Sequence, residues 1–265
     1  MKKIVLIKLG GSIITNKNKP YTARPEKIKN LAKEIKVAWG KGCQFVVSHG
    51  SGSFGHTSAA QYGIAEGVKG ESGLYGLAVV QQDALAINRI VNEIFLKEGL
   101  PVLSFVPSSF SLAAGKSLAA IFVEPIIEAL KLGALPLVFG DIILDKKRGC
   151  CIFSGERTLD NLILPLSKAG YKIKKVIQCG STNGVYDEEG KTIAKIGLQS
   201  FAEWKQLFGG SGATDVTGGM RHKIEESLKM AKQGIDCLII NGEKQGNLLK
   251  AILGEDAGGT LIAPK

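Results

Sequence analysis

Six short apolar runs, separated by stretches of helical spacing, limit what this chain can fold into. They are Ile4–Leu9, Gln44–Ser48, Val102–Val106, Leu135–Phe139, Lys175–Cys179 and Cys237–Asn241, and each is followed by a Gly, Ser, Pro or Asn turn. Short, near-continuous apolar runs bounded by turns are the pattern of strands buried on both faces. Between them, Glu26–Trp39 carries Ile28, Leu31, Ile35 and Ala38 at helical spacing and stops at Gly40. The segment Ser72–Lys97 predicts a long helix with Leu74, Leu77, Leu85, Asn88, Val91 and Phe95 along one stripe. Two hairpins are expected, Asp141–Phe153 turning at Asp145–Gly149 and Val185–Ile196 turning at Asp187–Gly190. Repeated βα units demand a mainly parallel sheet with helices on both faces, and in such sheets ligands gather at the carboxyl ends of the strands. There is no linker or composition break. One continuous sheet is therefore expected, with an N-terminal lobe to about residue 165 and a C-terminal lobe after it.

The 265 residues include 34 Lys plus Arg against 24 Asp plus Glu, a formal charge of +10. A hydrophobic fraction of 45% supports a full core, so the excess charge must sit on the surface. There it forms a solvated lysine-rich face or a field that draws in small anions. No basic run is interleaved with aromatics, which argues against a nucleic-acid partner. The five cysteines match no metal spacing and read as reduced thiols of a cytoplasmic protein. The four apolar residues after Lys3 are too few for a signal-peptide core, and no apolar stretch reaches membrane-spanning length.

Three glycine-rich turns carry the chemistry. They are Lys8-Leu9-Gly10-Gly11-Ser12, Gly50-Ser51-Gly52-Ser53-Phe54-Gly55-His56, and Asp215-Val216-Thr217-Gly218-Gly219-Met220 followed by Arg221 and Lys223. Glycine lets a backbone turn its N–H groups toward an anion at close range, and a nearby lysine adds a point charge for phosphate. Three such turns suggest a site for more than one phosphate group. Lys17 is either a second such charge or a loop lysine. His56, between Gly55 and small polar residues, is placed to donate to a phosphate oxygen and to carry charge near neutral pH. His49 is expected to be partly buried, and His222 exposed. There is no Walker A pattern, no protein-kinase set and no convincing nucleophile elbow.

These motifs, with Lys19-Pro20-Tyr21-Thr22, Pro107-Ser108-Ser109, Gly140-Asp141, Ser154-Gly155 and Asn241-Gly242, make the chain resemble the amino acid kinase superfamily nearly end to end. Within it, the chain is most similar to the branch that phosphorylates isopentenyl phosphate. The resemblance implies a three-layer α/β/α sandwich around a mainly parallel sheet, usually dimeric, using ATP and Mg²⁺. It implies that Lys8, Leu9, Gly10, Gly11 and Ser12 face the nucleotide phosphates, with Asp215, Gly219 and Lys223 also on ATP. It implies that Lys17 neutralises the γ-phosphate and that Gly52 touches the transferring group. Ser51, His56 and Gly155 would hold the acceptor phosphate, Asp141 would orient the lysines, and no protein metal site is implied. The long helix Ser72–Lys97 would line an apolar slot for the acceptor's tail.

The chain departs from the pattern in places. It has Ser51 for Gly, Asn16 for Asp, and Glu156-Arg157 for Asp-Asp. Cys179-Gly180-Ser181-Thr182-Asn183-Gly184 stands where two acidic residues are usual near the nucleotide. Two other readings stay open: another small phosphate, phosphonate or carboxylate as acceptor, or a nucleotide sensor without turnover.

Overall fold

The computed structural model describes residues 2–199 and 218–265. Its first half runs β1 (Lys2–Leu9), α1 (Gly11–Ile14), α2 (Pro25–Gly40), β2 (Gln44–His49), α3 (Gly52–Gln61), α4 (Gly70–Lys97) and β3 (Val102–Ser104). Then come α5 (Pro107–Phe110), β4 (Ser111–Ala114), β5 (Ser117–Ile121), α6 (Glu124–Lys131), β6 (Leu135–Phe139), β7 (Asp141–Asp145) and β8 (Gly149–Phe153). The rest comprises α7 (Gly155–Lys168), β9 (Tyr171–Gly180), β10 (Lys195–Gly197), α8 (Gly218–Lys232), β11 (Cys237–Asn241), α9 (Asn247–Leu253) and β12 (Thr260–Ala263).

The main sheet has eight strands in the order β10-β12-β11-β9-β1-β2-β6-β3. Its pairs are parallel except β11 with β12. The two-residue period of a strand splits β1 between two cores. Val5, Ile7 and Leu9 pack with α2, α4 and α9 on one face, while Ile4 and Leu6 pack with α6, α7 and α8 on the other. This is the expected three-layer sandwich with a mainly parallel sheet.

Four expectations are corrected. There are two sheets, because β5-β4-β7-β8 form a separate four-stranded one. At Gly140, whose N–H donates to His49 O at 2.7 Å, the chain leaves the main sheet, so the hairpin of β7 and β8 stands outside it. The second hairpin shrinks to one bridge, Tyr186 with Thr192, because Lys195–Gly197 pairs in parallel with β12 instead. The first Ser72–Lys97 leucine, Leu74, is 62% exposed; the buried stripe of α4 runs through Val80, Ala84, Ile87, Val91 and Phe95. Finally, β9 starts four residues earlier than expected. Tyr171-Lys172-Ile173-Lys174 alternates buried and exposed, with Tyr171 and Ile173 turned into the core of α6 and α7, so it lacks the continuous apolar run that marks the rest of the strand.

Candidate active site

The turns after β1, β2, β6 and β9 meet at one end of the main sheet, around a cavity of about 660 Å³. That is the carboxyl edge, where a doubly wound sheet collects its ligands. The glycines act first on one another. A Cβ on Gly11 would lie 2.7 Å from both the N and Cα of Gly52, and Gly52 itself has φ +53°. No other residue lets the first two turns pack back to back in this way. Gly10 N–H donates to Cys179 O at 2.9 Å, which ties the same turn to the end of β9. α3 and α7 begin on the cavity wall at Gly52 and Gly155, where the helix dipoles favour anions, although Ser53 N–H is already given to Thr15 Oγ1 and Arg157 N–H to Ser154 Oγ.

Lys8 follows the parity of Ile4 and Leu6, so its side chain emerges on the α7 side of the sheet. There its Nζ is paired with Glu156 Oε1, and the two side chains are only 7% and 5% exposed. Burial alone would raise the Glu156 carboxyl, but the charge and hydrogen bond of Lys8 outweigh it and hold the group below its ordinary range. Lys223 lines the same cavity from α8. Burial, then the neighbouring charge of Lys8, pushes its ammonium down to about 8.

Lys17 reaches the cavity from the loop between α1 and α2, with Pro20 beside it. Tyr21 pins that loop: its ring stands edge-on to Phe54 at 5.8 Å and its hydroxyl donates to Asp83 Oδ2 at 3.2 Å. His56 presents open surface to the cavity. Even so, burial by the surrounding protein, followed by Lys8 and Lys17, lowers its pKa below the ordinary value. The free site therefore disfavours the charge that this ring was expected to carry.

Of the residues singled out, Lys8, Gly10, Gly11, Ser12, Lys17, Ser51, Gly52, His56, Asp141, Gly155, Gly219 and Lys223 all line this cavity. Leu9 does not: the strand alternation that turns Lys8 toward α7 sends the Leu9 side chain into the opposite core. Asp215 lies outside the described residues. Among the described residues Asp141 pairs with no lysine. Its carboxylate accepts from Ser108 N–H at 2.9 Å and from Ile142 N–H at 2.8 Å, fastening α5 to the site. Glu156 takes the lysine-orienting position instead. Lys8's strand parity hinted at this, but not which carboxylate it would meet.

The other two histidines also differ from expectation. His49 is fully buried, stacked on Phe139 at 5.6 Å and bonded through Nε2 to Asn88 Oδ1 at 3.1 Å. His222 lines the cavity, its Nε2 3.0 Å from Ser154 Oγ. In the segment lacking the usual acids, Ser181 and Thr182 face the cavity, and Asn183 Oδ1 accepts from Asn241 Nδ2 at 3.0 Å. Among the described residues no three His, Cys, Asp or Glu side chains gather to hold a metal ion.

A cavity walled by three cations and two helix N-termini is built for phosphoryl groups, and the fold around it has known relatives. The chain belongs to the amino acid kinase family, which matches residues 3–241. It is 33% identical to the isopentenyl phosphate kinase of Methanothermobacter thermautotrophicus, over 99% of this chain and 100% of that one. It is 32% identical to that of Methanocaldococcus jannaschii, over 96% and 97%. A solved isopentenyl phosphate kinase superposes with a TM-score of 0.82 at 29% identity, covering 98% of this chain and 100% of the other.

Proposed function

We propose that this chain transfers the γ-phosphoryl group of ATP to isopentenyl phosphate, giving isopentenyl diphosphate and ADP. The observation that carries this is a single cavity with two kinds of lining. Lys8, Lys17, His56 and Lys223 line it together with Val80, Ala84 and Ile152. Of the α4 polar groups that a carboxylate acceptor could use, Gln82 is exposed and does not line the cavity, and Gln81, Asp83 and Asn88 are engaged. Gln81 donates to Ser108 Oγ, Asp83 accepts from Tyr21, and Asn88 holds His49 and Ser104.

An acceptor phosphate monoester is itself the nucleophile. Its oxygen attacks the γ-phosphorus in line, the bond from that phosphorus to the β,γ-bridging oxygen breaks, and the electron pair leaves on ADP. No general base is needed; the obstacle is bringing two polyanions together. Lys8, oriented by Glu156, and Lys17 face the transferring group and offset the charge that builds there. His56, Ser51 and Gly155 hold the acceptor phosphate, while Lys223, Ser12, Gly10 and Gly11 hold the nucleotide. The acceptor contacts thus all lie in the lobe before about residue 165, and the later lobe binds ATP together with the Gly10–Ser12 turn. The donor set suits no protein-built Mg²⁺ cage, so Mg²⁺ belongs to the ATP, where it neutralises phosphate oxygens.

The reading includes a cytoplasmic homodimer. Five free cysteines, four of them buried, suit a reducing compartment. Light scattering in solution tests the dimer. Among the described residues no helix is long and apolar enough to cross a membrane.

A coupled assay of ADP release with isopentenyl phosphate, a short alkyl phosphate and glutamate tests the assignment. A five-carbon tail buries a few CH₂ groups at about 0.8 kcal/mol each, so kcat/KM should favour isopentenyl phosphate by ~10² over the short phosphate. Equal rates for the two phosphates would remove the isoprenoid reading, and a preference for glutamate would replace it.

Lys223 gives a pH test of the nucleotide half. With its pKa at about 8, the free enzyme loses this charge as pH rises through that value. A bound triphosphate favours the charged form, so ATP binding should take up a proton near pH 8. Affinity should then fall by about tenfold per pH unit above it. Titration calorimetry in two buffers of different ionisation enthalpy measures the uptake. Lys223→Met should abolish it. Equal uptake in that variant assigns the proton elsewhere.

A further inference from the structure

We propose that His222 is a positioning residue that clasps the nucleotide-side helix α8 to the acceptor-phosphate turn at the start of α7. The inference rests on the two-lobe phosphoryl-transfer reading above. His222 stands next to Lys223 and shares the cavity with it. Its Nε2 meets Ser154 Oγ at 3.0 Å. Ser154 is the N-cap of α7, and its Oγ also accepts from Arg157 N–H at 3.3 Å. A serine hydroxyl has one proton and two lone pairs, so it satisfies both partners whichever tautomer His222 adopts. Among the described residues this is the one hydrogen bond from Gly219–Lys223 to Ser154–Arg157.

What Ser154 leads into makes the contact consequential. Gly155 follows, wedged so closely that a Cβ there would lie 2.8 Å from His49 O, and its carbonyl accepts from Ser48 Oγ at 3.1 Å. Glu156 comes next and holds Lys8. One side of the clasp is therefore rigid, fixed to β2 and to the buried ion pair. The other side is the first turn of α8, which carries the lysine assigned to ATP. A nucleotide held by Lys223 fixes the same stretch of α8 and so secures the His222–Ser154 contact already made, which holds the acceptor turn at its working distance. Occupancy of the nucleotide half then raises affinity in the acceptor half.

The test measures the Kd of isopentenyl phosphate by calorimetry, with and without a non-hydrolysable ATP analogue, in wild type, His222→Ala, His222→Gln, Ser154→Ala and the double alanine variant. Wild type should bind the acceptor about tenfold more tightly when the analogue is present. His222→Ala should remove most of that gain without weakening the analogue's own affinity or lowering Tm. Glutamine, which keeps a hydrogen-bonding end, should restore part of the gain. The double variant should lose no more than His222→Ala alone. Additive losses, or an unchanged gain in His222→Ala, overturn the clasp. A loss confined to analogue affinity makes His222 a plain nucleotide contact and overturns it as well. Wild-type turnover of isopentenyl phosphate is the control: its absence removes the functional reading and the clasp together, whereas turnover with additive variants removes the clasp alone.

Discussion

Replacing Lys8 by alanine should lower kcat by about 10³ or more, because it deletes a cation facing the transferring group. It should also destabilise the fold, by about 3–5 kcal/mol, because Glu156 is left buried without its partner. Urea unfolding beside steady-state kinetics separates the two effects. The paired change Lys8→Met with Glu156→Gln should recover most of the stability and none of the activity. A stable single variant, or an active double one, would sink this account of the pair. The sign of its pH dependence follows from the carboxyl. Glu156 is held below its unfolded value, so the stabilisation is present above the unfolded pKa and is lost as pH falls through the folded one. Lys17 is the contrast. It is exposed on its loop, so Lys17→Ala should lose rate without loss of stability.

His56→Ala should lower kcat/KM for isopentenyl phosphate by about 10² or more, the scale of one lost transition-state contact. The structure refines what the ring contributes. Burial, Lys8 and Lys17 lower its pKa in the free site, a bound phosphate raises it, and in either state the ring offers the acceptor phosphate an N–H donor. His56→Asn, which keeps a neutral N–H donor, should therefore retain more activity than alanine. Near-normal turnover in the alanine variant would remove the assignment, and an asparagine variant as poor as alanine would show that charge was required.

The strands and the site's location were legible because both rest on local rules. A strand buried on both faces must be apolar throughout, and its turn must be tight. Runs such as Ile4–Leu9 and Gln44–Ser48, with glycines behind them, therefore announced a parallel sheet and its ligand edge. The hairpin Asp141–Phe153 was visible, but not the sheet it joins. Alternation reports that one face is covered and is silent on what covers it. Leu74 was misplaced because the buried stripe at that level of α4 runs through Gly73, Gly76 and Val80, where the glycines carry no apolar signal, and Leu74 lies off it.

The sequence by itself determined the sheet class, the three glycine turns and the cations beside them, since these follow from backbone sterics and the spacing of charge. Only the tertiary structure decided the polar pairings. Glu156 lies 148 positions from Lys8, and His222 lies 68 from Ser154. No local rule says which carboxylate a buried lysine will meet. Asp141 and Glu156 are both acids near the right turns, and the choice between them fell to geometry. β7 aims Asp141 at two backbone N–H groups, whereas the first turn of α7 sets Glu156 across from the one lysine that strand parity points toward it. A buried charge is stable only where an opposite charge already stands, and that coincidence exists only once the sheet and helices are packed.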